Sequence, residues 1–344
     1  MIRHIKKPLY PVCALFSFFF IMMDPSFTDA ADSSAQDGLL KGFSISGGVL
    51  TDGMGNPFIM RGINYPHAWF QSKLTSSLKQ ISSYGANTVR VVLSNGVRWN
   101  RTGESEIREI ISECRKNRLI AVLEVHDTTG YGWEKEACTL EEAVSYWISV
   151  KESLIGAEDY VIINIGNEPN GGIISGRRWV RENSDAVKKM REAGLCHTIM
   201  IDAPDWGQDS RKIMLKNAPK VFTSDPLKNV MFSVHMYQKY GKRAKIDRYL
   251  STFVKNRLCL IVGEFGADHQ GHPVDEASIL ELCEIYKTGY LGWSWSGNSK
   301  EVADLDIITD WNPENLSPWG RTLIQSEYGI SRTSKVCTVF SPGK

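Results

Sequence analysis

The sequence predicts an α/β protein whose fold is a (β/α)8 TIM barrel with an N-terminal β-hairpin cap. Eight short apolar runs have the length of strands, helix-length stretches separate them, and the alternation runs unbroken along the chain. Such alternation is typical of a parallel sheet covered by helices, and eight repeats are enough to close a barrel. The strand-like runs lie at residues 58–64, 87–93, 119–126, 160–167, 198–202, 230–237, 258–264 and 290–296.

The segments between these runs have helical periodicity. Apolar residues recur at i, i+3 and i+4 with charges on the opposite face, which is the pattern of an amphipathic helix. These stretches cover residues 74–84, 104–116, 140–154, 179–193 and 276–287. The competing fold is a doubly wound open sheet, but that fold usually carries a glycine-rich phosphate turn after its first strand, and residues 61–67 offer none.

The N-terminal region predicts a leader and a cap. Residues 1–7 are basic, residues 9–23 are apolar and residues 26–34 are small or polar, which is the order of a secretory signal peptide with cleavage near Ala30 or Ala31. The alternative is a membrane anchor, but the apolar stretch is shorter than the roughly 20 residues that a span needs. Residues 43–56 contain glycine-rich turns and predict the hairpin. We therefore expect a signal peptide at 1–31, one domain at 32–344 and an extracellular, secreted protein.

Charge and cysteine content narrow the possible partners. The formal net charge is +1, which argues against nucleic acid or an anionic membrane as the partner and favours a neutral polymer. Of the seven cysteines, six remain once Cys13 leaves with the signal peptide, and an even number permits disulfides in a secreted chain. Their spacing shows no CxxC pair and hence no metal site. After signal cleavage we expect a monomer without membrane association.

Polar and aromatic residues gather at the ends of the predicted strands. In a barrel this is the face that carries the active site. The residues found there are His67, Trp69, Arg90, His126, Asp127, Asn167, Glu168, Asp202, Trp206, His235, Tyr237, Glu264, Trp293 and Trp295. Glu168 and Glu264 follow buried apolar runs, where carboxylates are rare unless they are paired or used. Two such carboxylates about 5 to 5.5 Å apart can hydrolyse a glycosidic bond with retention of configuration.

The order of residues suggests a role for each glutamate. Glu168 follows Asn167, an amide suited to a sugar 2-hydroxyl, and is assigned as the general acid/base. Glu264 must stay ionised, with Arg90 and Tyr237 as donors, and is assigned as the nucleophile. The structural alternatives are that Glu168 only interacts with the positive end of a helix dipole and that Glu264 only forms an ion pair with Arg90.

Histidines and tryptophans also lie at this face of the predicted barrel. His126 and His235 lack the HExxH spacing of a zinc site, so no metal is predicted. The chain has ten tryptophans, and Trp293 and Trp295 lie two apart on a predicted strand, so they should share a face and place at least one ring in the cleft against a sugar. Trp69 and Trp206 are similar candidates on loops. Most of the remaining candidates are expected to be packing residues: Trp133, Trp147, Trp179, Trp311 and Trp319.

With these residues in place, the chain resembles glycoside hydrolase family 5, and within it the secreted endo-β-1,4-mannanases of subfamily 8 from bacilli and actinobacteria. The motifs that carry the resemblance lie at residues 60–69, 85–94, 123–131, 163–169, 200–208, 232–237, 262–266 and 291–298. The similarity runs from about residue 42 to residue 340. It implies a (β/α)8 barrel, a retaining mechanism with Glu168 as acid/base and Glu264 as nucleophile, and no cofactor. It also implies supporting roles for Arg90, Asn167, His235, Tyr237 and Trp293.

The function predicted from the residues and the resemblance is cleavage of internal β-1,4-mannosidic bonds in mannan, glucomannan and galactomannan. The predicted partner is therefore a β-mannan-type polysaccharide. Mannose differs from glucose by an axial 2-hydroxyl, and no single residue indicates a preference for one of the two sugars. An endo-β-1,4-glucanase is therefore the first alternative. The second is a carbohydrate-binding barrel without turnover. We expect Trp69, Arg90, His126, Asn167, Trp206, His235, Tyr237 and Trp293 to bind substrate around the two glutamates.

Overall fold

The computed structural model describes residues 42–341, and its centre is a closed barrel of eight parallel strands. The barrel strands are β3 (Arg61–Tyr65), β4 (Thr88–Leu93), β5 (Ile120–Val125), β6 (Val161–Asn164), β7 (Ile199–Asp202), β8 (Val230–Met236), β9 (Leu260–Phe265) and β12 (Gly289–Gly292). Strands β4 to β9 each pair with the strand before them, and β12 closes the barrel by pairing with both β9 and β3. Between β9 and β12, β10 (Asp268–His269) and β11 (His272–Pro273) form a separate antiparallel pair. The predicted fold class is thus confirmed.

Every residue of these strands is buried, since side chains on one face fill the barrel and those on the other pack against helices. The register brings polar side chains on neighbouring strands together, as where Asn64 of β3 lies opposite Arg90 of β4. His235 of β8 lies opposite Glu264 of β9, directly after a register shift between Val234 and His235. The local irregularity therefore sits where the candidate catalytic residues are.

Helices cover the outside of the barrel. They are α1 (Leu74–Ser83), α2 (Glu104–Lys116), α3 (Leu140–Ser149), α4 (Gly176–Glu192), α5 (Ile213–Ser224), α6 (Arg243–Lys255), α7 (Glu276–Tyr286), α8 (Pro318–Gln325) and the short α9 (Ile330–Thr333). Their starts follow local chemistry: Thr139 and Glu142 form a capping box at α3, and Ser175 caps α4, which begins three residues before the predicted start. The predicted helix at 140–154 ends at Ser149 and is followed by a 3-10 turn, Lys151–Ser153.

The N-terminal hairpin closes the opposite end of the barrel from the strand ends that carry polar residues. It consists of β1 (Ser44–Ser46) and β2 (Val49–Thr51), which pair antiparallel, so the predicted cap is confirmed. Phe43, Leu50 and Phe58 pack on the inward-facing side chains of Ile120 and Met200 in a separate small core. Apolar side chains fill this end of the barrel, and the polar strand ends lie at the other end.

The sequence also predicts a signal peptide and no membrane association after its cleavage. The predicted signal peptide lies outside the described residues. Within residues 42–341, no helix is long and apolar enough to cross a membrane.

Candidate active site

A cleft of about 670 Å³ lies at the C-terminal ends of the barrel strands. The sequence predicts ten residues that catalyse the reaction or bind substrate. Eight of them line the cleft: Trp69, His126, Asn167, Glu168, Trp206, Tyr237, Glu264 and Trp293. The other two, Arg90 and His235, are fully buried directly behind the glutamates. The barrel thus brings together residues that are spread over more than two hundred positions of sequence.

The two glutamates face each other across this cleft. Glu264 lies within β9, and Glu168 follows the end of β6 by four residues and has a backbone φ of 42°. A carboxylate oxygen of each lies within 4.8 Å of the other and of a ring nitrogen of His235. A left-handed backbone is uncommon for a residue with a side chain, and it marks a position held by its surroundings.

Glu264 is held by two donors. Arg90 Nη1 donates to its Oε1 at 2.8 Å, and the Tyr237 hydroxyl donates to its Oε2 at 2.9 Å. Burial raises the pKa of Glu264, while the positive charges of His235 and Arg90 oppose that rise. Both oxygens therefore accept hydrogen bonds that favour the carboxylate, which is the form a nucleophile needs.

Glu168 is held on one side only. Its Oε1 lies 2.7 Å from His235 Nδ1, and its backbone N–H donates to Asp202 Oδ2 at 3.2 Å. No described residue makes a hydrogen bond to Glu168 Oε2. One carboxyl oxygen is thus fixed by the protein, and the second is available to an oxygen of a bound molecule.

His235 is a buried cation in this arrangement. Burial lowers the pKa of His235, but the carboxylates of Glu264 and Asp202 outweigh this effect and raise the pKa to about 10. Burial raises the pKa of Asp202, but the positive charges of His235 and Arg90 outweigh this effect and lower the pKa to about 2. Since the imidazolium carries a proton on each nitrogen, Nδ1 donates to Glu168 and Nε2 faces Asp202 Oδ2 at 3.3 Å.

Arg90, on β4, contacts inner side chains of four other strands and of the loop after β6. Its Nε donates to Asn164 at 2.9 Å and its Nη1 to Asn64 at 3.0 Å. Its Nη2 donates to Asn167 at 2.8 Å and lies 3.3 Å from Asp202 Oδ2. The planar guanidinium fixes all of these groups at once, which a single ammonium cannot do.

Aromatic rings form the walls of the cleft. Trp69 packs edge-on against both Trp99 and His126, and His126 stacks on Trp293 with ring centroids 5.6 Å apart. Trp206 follows β7, which is four strands around the closed barrel from β3, so it lies across the cleft from Trp69. Flat rings on both sides with few charges between them suit a neutral sugar chain better than an ionic ligand.

The structure corrects one expectation about tryptophan and shows an exception to a second. β12 ends at Gly292, so Trp293 and Trp295 lie beyond the strand and do not share a face: Trp293 lines the cleft, whereas Trp295 is fully buried in the helix layer against Tyr84. The period of two holds only inside a strand, and the chain has already left the sheet here. Trp133, expected to be a packing residue, is 71% exposed.

Several residues of the site were not assigned a role from the sequence. Behind the glutamates these are Asp202, Asn64, Asn164 and Glu124, and in the cleft they are Gln208, Gln238, His269 and Asn298. The inner four share a signal that the sequence does contain, namely a polar residue inside or ending a run that is otherwise apolar. The outer four lie in the segments that follow the barrel strands, where the sequence carries no comparable signal.

One group of potential metal ligands occurs among the described residues, Glu168, His235 and Glu264. The protonated ring of His235 and the guanidinium of Arg90 already neutralise these carboxylates. An imidazolium has no lone pair to offer a metal, so the charges of this site fit proton transfer better than metal binding.

Comparisons with known proteins agree on one family. The family model described as "Cellulase (glycosyl hydrolase family 5)" matches residues 51–299. A mannan endo-1,4-beta-mannosidase of Cellvibrio japonicus is 52% identical over 299 residues, which cover 87% of this chain and 69% of that protein. One of Streptomyces lividans is 45% identical, covering 88% and 78%. A beta-mannanase from Streptomyces thermolilacinus, solved with mannohexaose, superposes with a TM-score of 0.85 at 47% identity, covering 89% of this chain and all of that one.

Proposed function

The chain belongs to glycoside hydrolase family 5, and from that premise we propose that it is a secreted endo-β-1,4-mannanase. Its substrates are mannan, glucomannan and galactomannan, cut at internal bonds. The observation that carries this proposal is the pair of carboxylates, Glu168 and Glu264, within 4.8 Å of each other in one open cleft. That separation fits retaining hydrolysis, since inverting enzymes need about 6.5–9.5 Å to admit a water molecule.

The proposed reaction has two displacements. Glu264 attacks the anomeric carbon while Glu168 gives its proton to the leaving oxygen, so that the glycosidic bond breaks as the glycosyl-enzyme bond forms. Glu168 then takes a proton from water, the water oxygen attacks the same carbon, and Glu264 leaves as a carboxylate. Each glutamate ends in the state in which it began.

The surroundings of each glutamate support these roles. Arg90 and Tyr237 hold both oxygens of Glu264, which keeps the nucleophile ionised and oriented. His235 holds Oε1 of Glu168, which leaves Oε2 for the proton transfer. Asn167 lies directly before the acid and is itself held by Arg90, as expected of an amide that positions a sugar hydroxyl.

The proposed substrate rests on the walls of the cleft and on the relatives. Trp69 and Trp293 follow β3 and β12, and Trp206 follows β7 across the barrel, so a sugar chain can stack on rings at both ends of the cleft, as endo cleavage requires. The mannanase names of the relatives support mannose as the sugar. The matching family description also includes cellulases, so a β-1,4-glucan remains the alternative substrate.

Initial rates on locust-bean galactomannan and carboxymethylcellulose decide between the two substrates. We expect clearly faster release of reducing sugar from galactomannan, and faster cleavage of the cellulose derivative would overturn the proposal. Glu168→Ala and Glu264→Ala proteins serve as controls for contaminating activity. A wild type that binds mannan but releases no sugar would instead support the binding-protein alternative.

Secretion and a monomeric state are further parts of the proposal. The basic, apolar and small-residue order of residues 1–34 supports export. Expression of the whole chain in a bacterial host, followed by N-terminal sequencing of enzyme from the culture medium, should give a mature start directly after Ala30 or Ala31. Activity confined to the cells would contradict it.

A further inference from the structure

One tryptophan of the described chain is exposed, and it lies next to the cleft. Trp133 is 71% exposed, whereas the other tryptophans are buried or half-buried. It belongs to the loop between β5 and α3. Ile173, in the loop between β6 and α4, is 91% exposed. The mechanism proposed above uses neither side chain.

The two loops are packed together without intervening side chains. A Cβ placed on Gly171 would lie 2.9 Å from the Gly130 Cα and 3.0 Å from Trp206 Cε2. A Cβ placed on Gly172 would lie 3.0 Å from the Gly132 carbonyl oxygen and 3.9 Å from Trp133 Cβ. Glycine is therefore required for this close approach, and the loops form one ledge that begins at Trp206 and ends at Trp133.

Hydrogen bonds fix this ledge. The Gly130 N–H donates to the Glu168 carbonyl at 3.2 Å, and the Gly171 N–H donates to the Tyr131 carbonyl at 3.0 Å. Arg211 Nη2 donates to the Gly172 carbonyl at 2.8 Å. Trp133 therefore stands on a backbone that is bonded directly to the backbone of the candidate acid.

The ledge continues the cleft on one side only. A Cβ on Gly171 would contact the Trp206 ring, and a Cβ on the next residue, Gly172, would lie 3.9 Å from the Trp133 Cβ, so Trp206 and Trp133 follow each other along the ledge. Two rings that follow each other in this way can meet successive units of one sugar chain. Because the ledge is hydrogen-bonded to the backbone of Glu168, which gives its proton to the leaving oxygen, it lies on the leaving-group side.

We propose that Trp133 is a further sugar-stacking residue, which binds a leaving-group-side unit of the substrate chain beyond the unit that meets Trp206. This rests on the proposed function, since it assigns a subsite to the same cleft. A protein partner fits the patch poorly, because a stable interface needs about 800 Å² on each side and the exposed apolar surface here comes from Trp133 and Ile173. A sugar ring needs only one flat aromatic face.

The test compares Trp133→Ala, Trp133→Phe and wild type on galactomannan and on mannotriose to mannohexaose. Stacking of this kind corresponds to about a 2- to 10-fold change in affinity. We expect Trp133→Ala to lose about that factor in kcat/KM on galactomannan and mannohexaose, with no loss on the shortest oligosaccharide that is cleaved. Trp133→Phe should recover most of the loss. With reducing-end-labelled mannohexaose, Trp133→Ala should cut nearer the reducing end.

The control is Met54→Ala, which removes another exposed apolar side chain, 59% exposed and beside the hairpin at the far end of the barrel. It should match wild type on every substrate. Equal kcat/KM for wild type and Trp133→Ala, or a loss of the same size at every chain length, would overturn the inference alone. A wild type without activity on any mannan would overturn the proposed function, and if it cleaved β-1,4-glucan the same length comparison would be made with cello-oligosaccharides.

Discussion

His235 Nδ1 lies 2.7 Å from Glu168 Oε1, while Nε2 of the same ring lies 3.3 Å from Asp202 Oδ2. Asp202 Oδ2 also accepts the backbone N–H of Glu168 at 3.2 Å. The side chain and the backbone of the candidate acid are therefore tied to one buried cation and one buried carboxylate. Because these groups are shielded from water, the electrostatic attraction between them is stronger than between the same groups on the surface.

The charge of His235 predicts how stability depends on pH. Its pKa is about 10 in the folded protein, against about 6.5 when unfolded. A raised pKa contributes stability that is fully present below about pH 6.5 and is lost as the pH rises through about 10. We expect the difference in unfolding free energy between wild type and His235→Gln to shrink by a few kcal/mol, roughly, between these limits. Urea unfolding at a series of pH values measures it, and a difference that does not change with pH would contradict the assignment.

Arg90 should be irreplaceable by lysine. Arg90→Lys keeps the charge but cannot donate to Asn64, Asn164, Asn167 and Glu264 together. Buried acceptors then lose their partners, so we expect about 2–4 kcal/mol less stability, along with loss of most activity. Arg108→Lys, at a half-exposed arginine paired with Glu104 on α2, should change unfolding by less than about 0.5 kcal/mol. Similar stability for both variants would argue against a central role of Arg90.

Removal of the Tyr237 hydroxyl should weaken Glu264, the proposed nucleophile. Tyr237→Phe deletes the hydrogen bond to Glu264 Oε2, which favours the ionised carboxyl, so the pKa of Glu264 rises further. We expect kcat/KM to fall by about 10-fold or more and the acidic limb of its pH profile to move to higher pH. Tyr286→Phe, whose hydroxyl bonds Asp247 away from the cleft, is the matched control. An unmoved acidic limb would show that the hydroxyl does not act on Glu264.

The cysteines should be free thiols. Cys114, Cys138, Cys259, Cys283 and Cys337 are buried and Cys196 is half-buried, and none of the six forms a disulfide. Burial raises the pKa of the Cys259 thiol to about 12, which makes it unreactive. We expect all six to react with Ellman's reagent in denaturant, only Cys196 to react in the native enzyme, and dithiothreitol to leave Tm unchanged. Fewer than six thiols in the mature chain would reveal a disulfide.

The fold was predictable because its signal is repeated along the chain. Each barrel strand is buried on both faces and therefore reads as an apolar run, and each helix reads as an amphipathic one. Ends were less predictable: β6 stops at Asn164, whereas the run of apolar residues continues to Ile165 and the predicted strand to Asn167. β6 leaves the sheet while its neighbours continue, β5 to Val125 and β7 to Asp202, and an apolar run does not show such a change in the path of the backbone.

The candidate site was predictable only in part. Glu168 and Glu264 stood out because carboxylates are rare at the ends of buried runs, whereas Asp202 looked like an ordinary strand end until its contacts with His235 and Arg90 were known. The exposure of Trp133 and the burial of Trp295 depend on how loops pack after the strands end. Such packing is set by distant residues, which a reading of periodicity does not include.

The most direct test of the account is the anomeric configuration of the first product. Proton NMR during cleavage of mannohexaose by the wild type follows the new reducing end before it mutarotates. If Glu264 forms a covalent glycosyl-enzyme and Glu168 serves as acid and then base, the β-anomer appears first and the α-anomer grows in only with mutarotation. Initial release of the α-anomer would mean inversion, and would contradict the roles assigned to the two glutamates.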